Sequence, residues 1–147
     1  MSNDLDEPED DDAAAVSALI DSFRDAGRVG DLDAFMANFA DDAVLMLSDR
    51  LGDANKEDVR EYFSFLTDHA FDQKISKDEI QVCGDWAFAR VTFDGYLNPK
   101  PGIEGEPSRV VSRHFMVLKR EQDGMWKLAR DMWIRPSEQY GPVIARG

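Results

Sequence analysis

The sequence predicts an α+β fold in which helices come first and an antiparallel β-sheet follows. Apolar residues recur three and four positions apart as far as residue 69, as they do on one face of a helix. Beyond that point, four segments of strand length are rich in β-branched and aromatic residues and are separated by turns. Helices followed by a meander of strands pack on one face of the sheet. A chain of 147 residues with 43% apolar content is long enough for one such core.

Three helices are predicted in the first half of the chain. The first covers residues 12 to 28, and its apolar positions follow the helical spacing: Val16, Leu19, Ile20 and Phe23. Asp31 is a suitable N-cap for a short second helix, and Asn55 is one for a third helix over residues 56 to 69. Between these two helices, residues 43 to 49 are too apolar and too few for a helix and predict a buried strand.

Four strands are predicted in the second half. They lie within residues 72 to 84, 85 to 97, 108 to 122 and 124 to 134. Gly84-Asp85 and Asp123-Gly124 predict tight turns. The remaining connection, "LNPKPGIEGEP" over residues 97 to 107, has three prolines and two glycines and is longer than an ordinary hairpin loop. We therefore regard it as a candidate lid.

Acidic residues are distributed unevenly along the chain. The net charge is −13, and seven acids lie within residues 1 to 12, where there is no base. We expect a disordered acidic tail over residues 1 to 12, a single domain over 13 to 135, and an irregular C-terminal tail over 136 to 147. The negative charge argues against nucleic acid and anionic membranes as partners. It favours a small molecule or another protein.

Few side chains suit a metal, a disulfide or a bound cofactor. Cys83 is the one cysteine, and the two histidines, His69 and His114, are far apart, so no metal and no cofactor are expected. The sequence contains no phosphate loop, nucleophile elbow or Gly-rich dinucleotide motif. The N-terminus lacks the pattern of a signal peptide, and no apolar run approaches the roughly 20 residues of a membrane span. We expect a cytoplasmic protein.

Three stretches give the chain a resemblance to a known family. They are "GDLDAFMANFADDAVLM", "GDWAFARVTFDG" and "SRHFMVLKREQDGMWKLARDMW", in this order. Over about residues 13 to 135 the chain resembles the SnoaL-like proteins, relatives of ketosteroid isomerases within the nuclear transport factor 2-like superfamily. The resemblance implies a cone-shaped fold, in which a curved antiparallel sheet packs on three N-terminal helices around a pocket for a small-molecule ligand. It also implies a homodimer through the outer face of the sheet.

The groups that steroid isomerases use are missing from the matching positions. In the family alignment, an oxyanion-hole tyrosine falls on Phe23, an aspartate base on Leu47 and a second, protonated acid on Arg113. None of these three side chains is able to do the corresponding chemistry. Asp49 is a possible base in a shifted geometry, although a solvated loop acid is the favoured interpretation.

The last strand carries a carboxylate between a small residue and a tryptophan. By alternation, Asp131 shares a face with Ala129 and Trp133. The resemblance turns this face toward the cavity together with residues of two neighbouring strands: Arg90, Thr92, Asp94, Arg113 and Phe115. A carboxylate beside a guanidinium stays ionised. Asp131 is therefore either a catalytic acid, base or ligand anchor, with Arg113 and Arg90 binding a ligand oxygen, or one half of a structural ion pair.

His114 and several aromatic residues complete the candidate site. Alternation points His114 away from Arg113, toward the outer face where a dimer contact is expected, whereas a register shifted by one residue would favour a catalytic role. The aromatic side chains available to line an apolar cavity are Phe23, Tyr62, Trp86, Phe88 and Trp133. Two functions stay open, since folds do not fix function. One is a cofactor-independent isomerase, cyclase or dehydratase for a small, partly apolar compound, and the other is a non-catalytic ligand-binding or dimerisation module.

Overall fold

The computed structural model describes residues 3 to 48 and 50 to 136. Its helices are α1 (Asn3–Val29), α2 (Leu32–Met36) and α3 (Lys56–Tyr62), and a short 3-10 helix, Ser64–Thr67, follows α3. Within this part of the chain, no helix is both long and apolar enough to cross a membrane.

One five-stranded sheet carries the rest of the fold. Its strands are β1 (Phe39–Met46), β2 (His69–Cys83), β3 (Trp86–Pro99), β4 (Ser108–Arg120) and β5 (Trp126–Ile134), in the order β1-β5-β4-β3-β2. Strands β2 to β5 form an antiparallel meander, and β1 runs parallel to β5. The predicted α+β class, with three helices and a curved sheet, is confirmed. The parallel β1 makes the sheet mixed, which local pattern does not reveal because β1 is separated from β5 by the whole meander.

Helix α1 begins earlier than the apolar pattern predicted. It starts at Asn3 and so includes most of the segment that we expected to be an acidic tail. Acidic residues suit the positive end of a helix dipole. The sheet also holds this part of the helix, because Arg120 Nη1 donates a hydrogen bond to Asp12 Oδ1 at 2.6 Å. Tail disorder stays a prediction, and both Asp49 and the C-terminal tail from residue 137 lie outside the described residues.

Both predicted N-caps are present. The Ala34 amide donates to Asp31 Oδ1 at 3.0 Å at the start of α2. At α3, the Asp58 amide donates to Asn55 Oδ1 at 2.9 Å, and the Asn55 amide donates back to Asp58 at 3.0 Å, which completes a capping box. The helix ends at Tyr62, short of the predicted end near residue 69, because the chain tightens into the 3-10 helix. His69 therefore starts β2.

The backbones of β2 and β3 approach each other closely where Gly95 pairs with Gln73. A Cβ atom at residue 95 would collide with the carbonyl oxygen of Asp72 and with Gln73 Cα. Only glycine allows two backbones to approach so closely. A register shift between Lys77 and Glu79 adds a bulge to the same pair, and bulges increase the local twist of a sheet. The sheet thus curls around α1, whose buried residues belong to the core.

The side chains of β4 face opposite to the predicted direction. His114 pairs with Trp133, and Met116 pairs with Asp131. Because directly opposed residues share a face of the sheet, the even-numbered residues of β4 face the helices. The predicted inward orientation of Arg113 and Phe115 is wrong by one residue.

A bulge in the β4–β5 pair explains why Asp131 shares a face with His114 and not with Arg113. The register passes from Val117–Arg130 to Leu118–Leu128 and so skips Ala129. Before the extra residue the even-numbered side chains of β5 face the helices, and after it the odd-numbered ones do. Leu128 is therefore buried on the same side as Asp131. Strict alternation of side chains along β5 does not account for this change of direction.

Pairing with β4 also fixes the orientation of β3. Arg90 lies opposite Phe115 and Thr92 lies opposite Arg113, so both face outward. The alternate side chains of β3 point into the core and are buried: Ala89, Val91 and Phe93. The remaining even-numbered residues of this strand, which include Trp86, Phe88 and Asp94, share the outer face.

Candidate functional site

A hollow lies between the inner face of the sheet and the helices. Aromatic side chains form most of its wall: Phe23, Phe35, Phe39, Tyr62, Phe63, Phe65, Phe71, Phe93 and Trp133. The polar and charged lining residues are Gln73, Ser112, His114, Asp131 and Arg135. The cavity volume is about 60 Å³, which is small beside the roughly 300–1,000 Å³ of pockets for drug-sized ligands. A ligand that fits must be small or flat. No residue of the candidate lid, 97 to 107, lines it.

His114 and Asp131 form a hydrogen-bonded pair in the wall of the hollow. His114 Nδ1 lies 3.0 Å from Asp131 Oδ2 and 3.3 Å from Oδ1. Their side chains are 11% and 3% exposed. The strands bring them together diagonally, because Asp131 lies opposite Met116, two residues along β4 from His114. Water is therefore largely excluded from the contact.

Ser112 extends this pair into a row of three polar groups. Its Oγ atom lies 2.9 Å from His114 Nε2, and its side chain also lines the hollow. When Asp131 is ionised, the Nδ1–H group donates to the carboxylate, so Nε2 carries a lone pair and accepts from the Ser112 hydroxyl. The imidazole thus has a lone pair on the side that faces Ser112.

Aromatic neighbours hold the imidazole ring in place. Trp133 stacks on it with centroids 5.0 Å apart and an interplanar angle of 26°. Phe93 meets it edge-on at 5.1 Å and 78°. Such packing fixes the ring orientation and lowers the local polarity. The hydrogen bond between His114 and Asp131 is therefore made in a dry environment.

Burial raises the pKa of Asp131 above its ordinary value of 3.8, because the ionised carboxylate has lost most of its water. The charge of His114 and its hydrogen bond act in the opposite direction with smaller effect. Asp131 is thus a carboxyl that holds its proton more tightly than an exposed aspartate does. A raised pKa in a cleft is a common property of acid–base sites.

The structure brings together some of the predicted site residues. Asp131, His114, Phe23, Tyr62 and Trp133 all line the hollow. His114 was expected on the outer face, and that expectation is wrong because β4 is turned by one residue relative to the prediction. A register shifted by one residue was the condition under which we expected a catalytic role for His114.

The other predicted site residues lie on the outer face of the sheet: Trp86, Phe88, Arg90, Thr92, Arg113 and Phe115. Arg90 is bound to Glu79, with Nε 2.8 Å from Oε1. Thr92 is buried there and donates to Asp78 Oδ2 at 3.4 Å. The predicted pairing of Asp131 with Arg113 is therefore wrong, and an imidazole replaces the guanidinium as its partner.

Sequence reasoning missed Ser112 and Arg135 as lining residues. A signal for Ser112 was present, because Ser112 and His114 alternate in step with Met116 and Leu118, which are apolar and buried. Arg135 follows the end of β5 at residue 134, where alternation no longer predicts direction. Only the arrangement of the helices places it beside Tyr62.

The positions aligned with the isomerase groups carry no replacement chemistry. Phe23 lines the hollow with an apolar ring. Leu47 is a buried core residue outside the lining, and Arg113 faces outward. Among the described residues, no group of three or more His, Cys, Asp or Glu side chains is placed to hold a metal ion.

A protein-family model described as a SnoaL-like domain matches residues 16–129. A solved ketosteroid isomerase-like protein from Erwinia carotovora atroseptica is 26% identical, with a TM-score of 0.70 over 85% of this chain and 96% of that one. A conserved protein from Planctomyces limnophilus is 20% identical, with a TM-score of 0.73 over 85% and 98% of the two chains.

A putative scytalone dehydratase from Novosphingobium aromaticivorans has a TM-score of 0.72 at 13% identity, over 84% of this chain and 83% of that one. At the two lower identities the likeness shows the fold alone. A comparison with curated proteins found no match.

Proposed function

The chain belongs to the SnoaL-like domain family, and from this premise we propose that it is a cofactor-independent isomerase, cyclase or dehydratase of a small, partly apolar compound. His114 is the catalytic acid–base, and Asp131 is the residue that positions it. Phe23, Tyr62 and Trp133 hold the apolar part of the ligand.

The observation that carries this proposal is the buried His114–Asp131 pair in the aromatic hollow, with a 3.0 Å contact between Nδ1 and Oδ2. Proton transfer needs a group that changes protonation near neutral pH, and histidine is the side chain that does so without a large pKa shift. A structural ion pair would not need a cavity beside it. His114 and Ser112 both line this cavity.

In the proposed step, Nε2 takes a proton from a carbon atom next to a ligand carbonyl. Asp131 stabilises the imidazolium that results, and the Ser112 hydroxyl turns from Nε2 to donate to the ligand oxygen. Return of the proton to a different carbon completes an isomerisation. Transfer to a leaving hydroxyl group completes a dehydration, with water as the second product.

This arrangement differs from the steroid-isomerase mechanism. The position of the isomerase tyrosine is Phe23, which has no proton to donate, so the ligand oxygen has to be stabilised from the sheet side. Ser112 and His114, neighbours on β4, supply the polar groups there. The reaction therefore relies on one imidazole where the isomerases use separate carboxylates.

Hydrogen–deuterium exchange tests the proposal without knowledge of the substrate. Small cyclic and aryl ketones are incubated with the protein in D2O, and exchange at the carbon next to the carbonyl is followed by NMR. We expect His114→Asn to slow the catalysed exchange by about 100-fold or more. His69→Asn, which changes a histidine that does not line the hollow, should leave the rate unchanged.

Equal rates for the wild type and His114→Asn would contradict a catalytic role for this residue. Ligand binding without any exchange would instead favour the alternative function, a non-catalytic binding pocket. Both variants are checked for native far-UV circular dichroism, so that a loss of rate is not a loss of fold.

We also propose that a second copy of the chain covers the outer face of the sheet, as the resemblance implies. Support comes from exposed apolar side chains in register across three strands: Met46, Met132 and Phe115. Contiguous apolar surface of this kind is typical of protein contacts. We further propose that the protein is located in the cytoplasm, as expected from the sequence.

A further inference from the structure

One guanidinium stands at the edge of an otherwise aromatic hollow. Arg135 is the only lysine or arginine among the described residues that line it. Its side chain is exposed, whereas the walls around it are mostly aromatic rings. A cation beside a narrow apolar cavity is available to a ligand that carries a negative charge at one end.

Arg135 forms no ion pair within the described part of the chain. Its one hydrogen bond there is to the hydroxyl oxygen of Tyr62, to which Nη2 donates at 3.5 Å. By contrast, several arginines elsewhere on the surface are bound to carboxylates, such as Arg60 to Asp33 and Arg109 to Asp94. Since a guanidinium has five donor hydrogens, the described residues leave most of the hydrogen-bonding capacity of Arg135 available to a ligand.

A row of contacts links this guanidinium to the catalytic histidine. Tyr62, which accepts from Arg135, lies 5.8 Å from Trp133 between ring centroids. Trp133 in turn stacks on His114 at 5.0 Å. A flat molecule lying along these rings would have one end near Arg135 and the other near Nε2 of His114.

The charges of the molecule favour this orientation. An ionised Asp131 would repel an anionic group placed beside it in the wall of the hollow. A carboxylate would therefore be more stable at the Arg135 end, where a guanidinium can form bidentate hydrogen bonds with it. The arginine would fix which end of the ligand enters first.

We propose that the ligand is a small planar carboxylate, anchored through its carboxylate by Arg135, with its apolar part along Tyr62 and Trp133 and its reactive carbon at His114. This inference rests on the proposed function, because it names the substrate class of the same site. It assigns to Arg135 the role of binding a ligand oxygen that was expected for Arg113 and Arg90.

Benzoate and benzamide are suitable probes, because they have nearly the same shape and only benzoate is charged. Their dissociation constants are measured by NMR titration with the wild type, Arg135→Gln and Arg113→Gln. Arg113 is a matched control, since it also forms no ion pair among the described residues and lies on the outer face. We expect Arg135→Gln to weaken benzoate binding about tenfold or more and to leave benzamide within about twofold.

The same titrations can also contradict the anchoring role of Arg135. Equal weakening of both probes, no weakening of benzoate, or the same effect from Arg113→Gln would overturn the anchoring role. Failure of the wild type to bind either probe would overturn it as well. Selective benzoate binding with no ketone exchange would leave this inference standing and refute the proposed catalysis.

Discussion

At the residue scale, the central fact is a carboxylate buried against an imidazole. An unpaired ionised carboxylate in a dry site costs several kcal/mol, so Asp131 needed a partner. Arg113 was the expected partner, and His114 is the one found, with Ser112 on its far side. A histidine partner in place of an arginine changes the chemistry, because a guanidinium stays protonated whereas an imidazole exchanges its proton near neutral pH.

The raised pKa of Asp131 makes a prediction about stability and pH. Between its ordinary pKa of 3.8 and its higher folded pKa, the folded state binds this proton more tightly than the unfolded state does. The contribution of Asp131 to the free energy of unfolding is therefore full below this window and is lost as pH rises through it. Each unit of pKa difference corresponds to about 1.4 kcal/mol.

Asp131→Asn removes this titration and keeps the shape of the side chain. We expect the stability of the variant relative to the wild type to increase as pH rises through the window and then to stay constant. Urea unfolding at a series of pH values measures the difference. Repeating the comparison in a His114→Asn background removes the imidazole from both proteins. A difference that decreases with pH would mean that the pKa of Asp131 is lowered.

At the element scale, irregular positions in the strands decide what the site contains. The bulge at Ala129 puts Leu128 and Asp131 on the same side of β5, and it sets which residues of β4 lie opposite them. The close approach of β2 and β3 at Gly95 lies in the strand pair that contributes Phe71 and Phe93 to the wall of the hollow. Regular strands with the same sequence pattern would present a different set of side chains.

Gly95→Ala tests the close approach of β2 and β3. The added Cβ would meet backbone atoms of Asp72 and Gln73, which do not rotate away as side chains do. We expect the free energy of unfolding in urea to fall by about 1–3 kcal/mol. Gln81→Ala, on an exposed position of β2, is the control and should change it by less than about 0.5 kcal/mol. Similar values for the two variants would show that the approach imposes no constraint.

At the scale of the whole molecule, apolar side chains on the two faces of the sheet have different surroundings. The inner face carries the core and the hollow, and the outer face exposes Phe115, Met132 and Ile134 by 45%, 47% and 55%. Phe88 stacks on Phe115 at 5.6 Å. A patch of this kind is costly in water for an isolated chain, which is why a second copy is proposed there.

A charged side chain introduced on the outer face of the sheet tests the proposed dimer. Phe115→Lys should shift the protein from dimer to monomer in analytical ultracentrifugation, because a buried lysine without a partner is unfavourable at an interface. Leu51→Lys is the control, since Leu51 is 99% exposed and lies outside the sheet. A wild-type protein that sediments as a monomer at all concentrations would contradict the proposal.

Local pattern was sufficient for the elements of this protein. Helix caps at Asp31 and Asn55, the strands of the meander and the tight turn at Gly84 follow from short-range chemistry that the sequence displays directly. The α+β class follows from the order of those elements. Asp131 was also identifiable, because a carboxylate within an apolar strand needs a partner wherever the strand lies.

The identity of that partner was decided only by the tertiary structure. One extra residue at Ala129 turns Asp131 and Trp133 to the face of the sheet that carries His114, and away from the face that carries Arg113. A shift of one residue reverses the direction of every side chain in a strand, and alternation within a single strand does not record it. Register is set by contacts between distant segments, and for this reason the sequence determined the architecture and the carboxylate, whereas the folded chain determined the site.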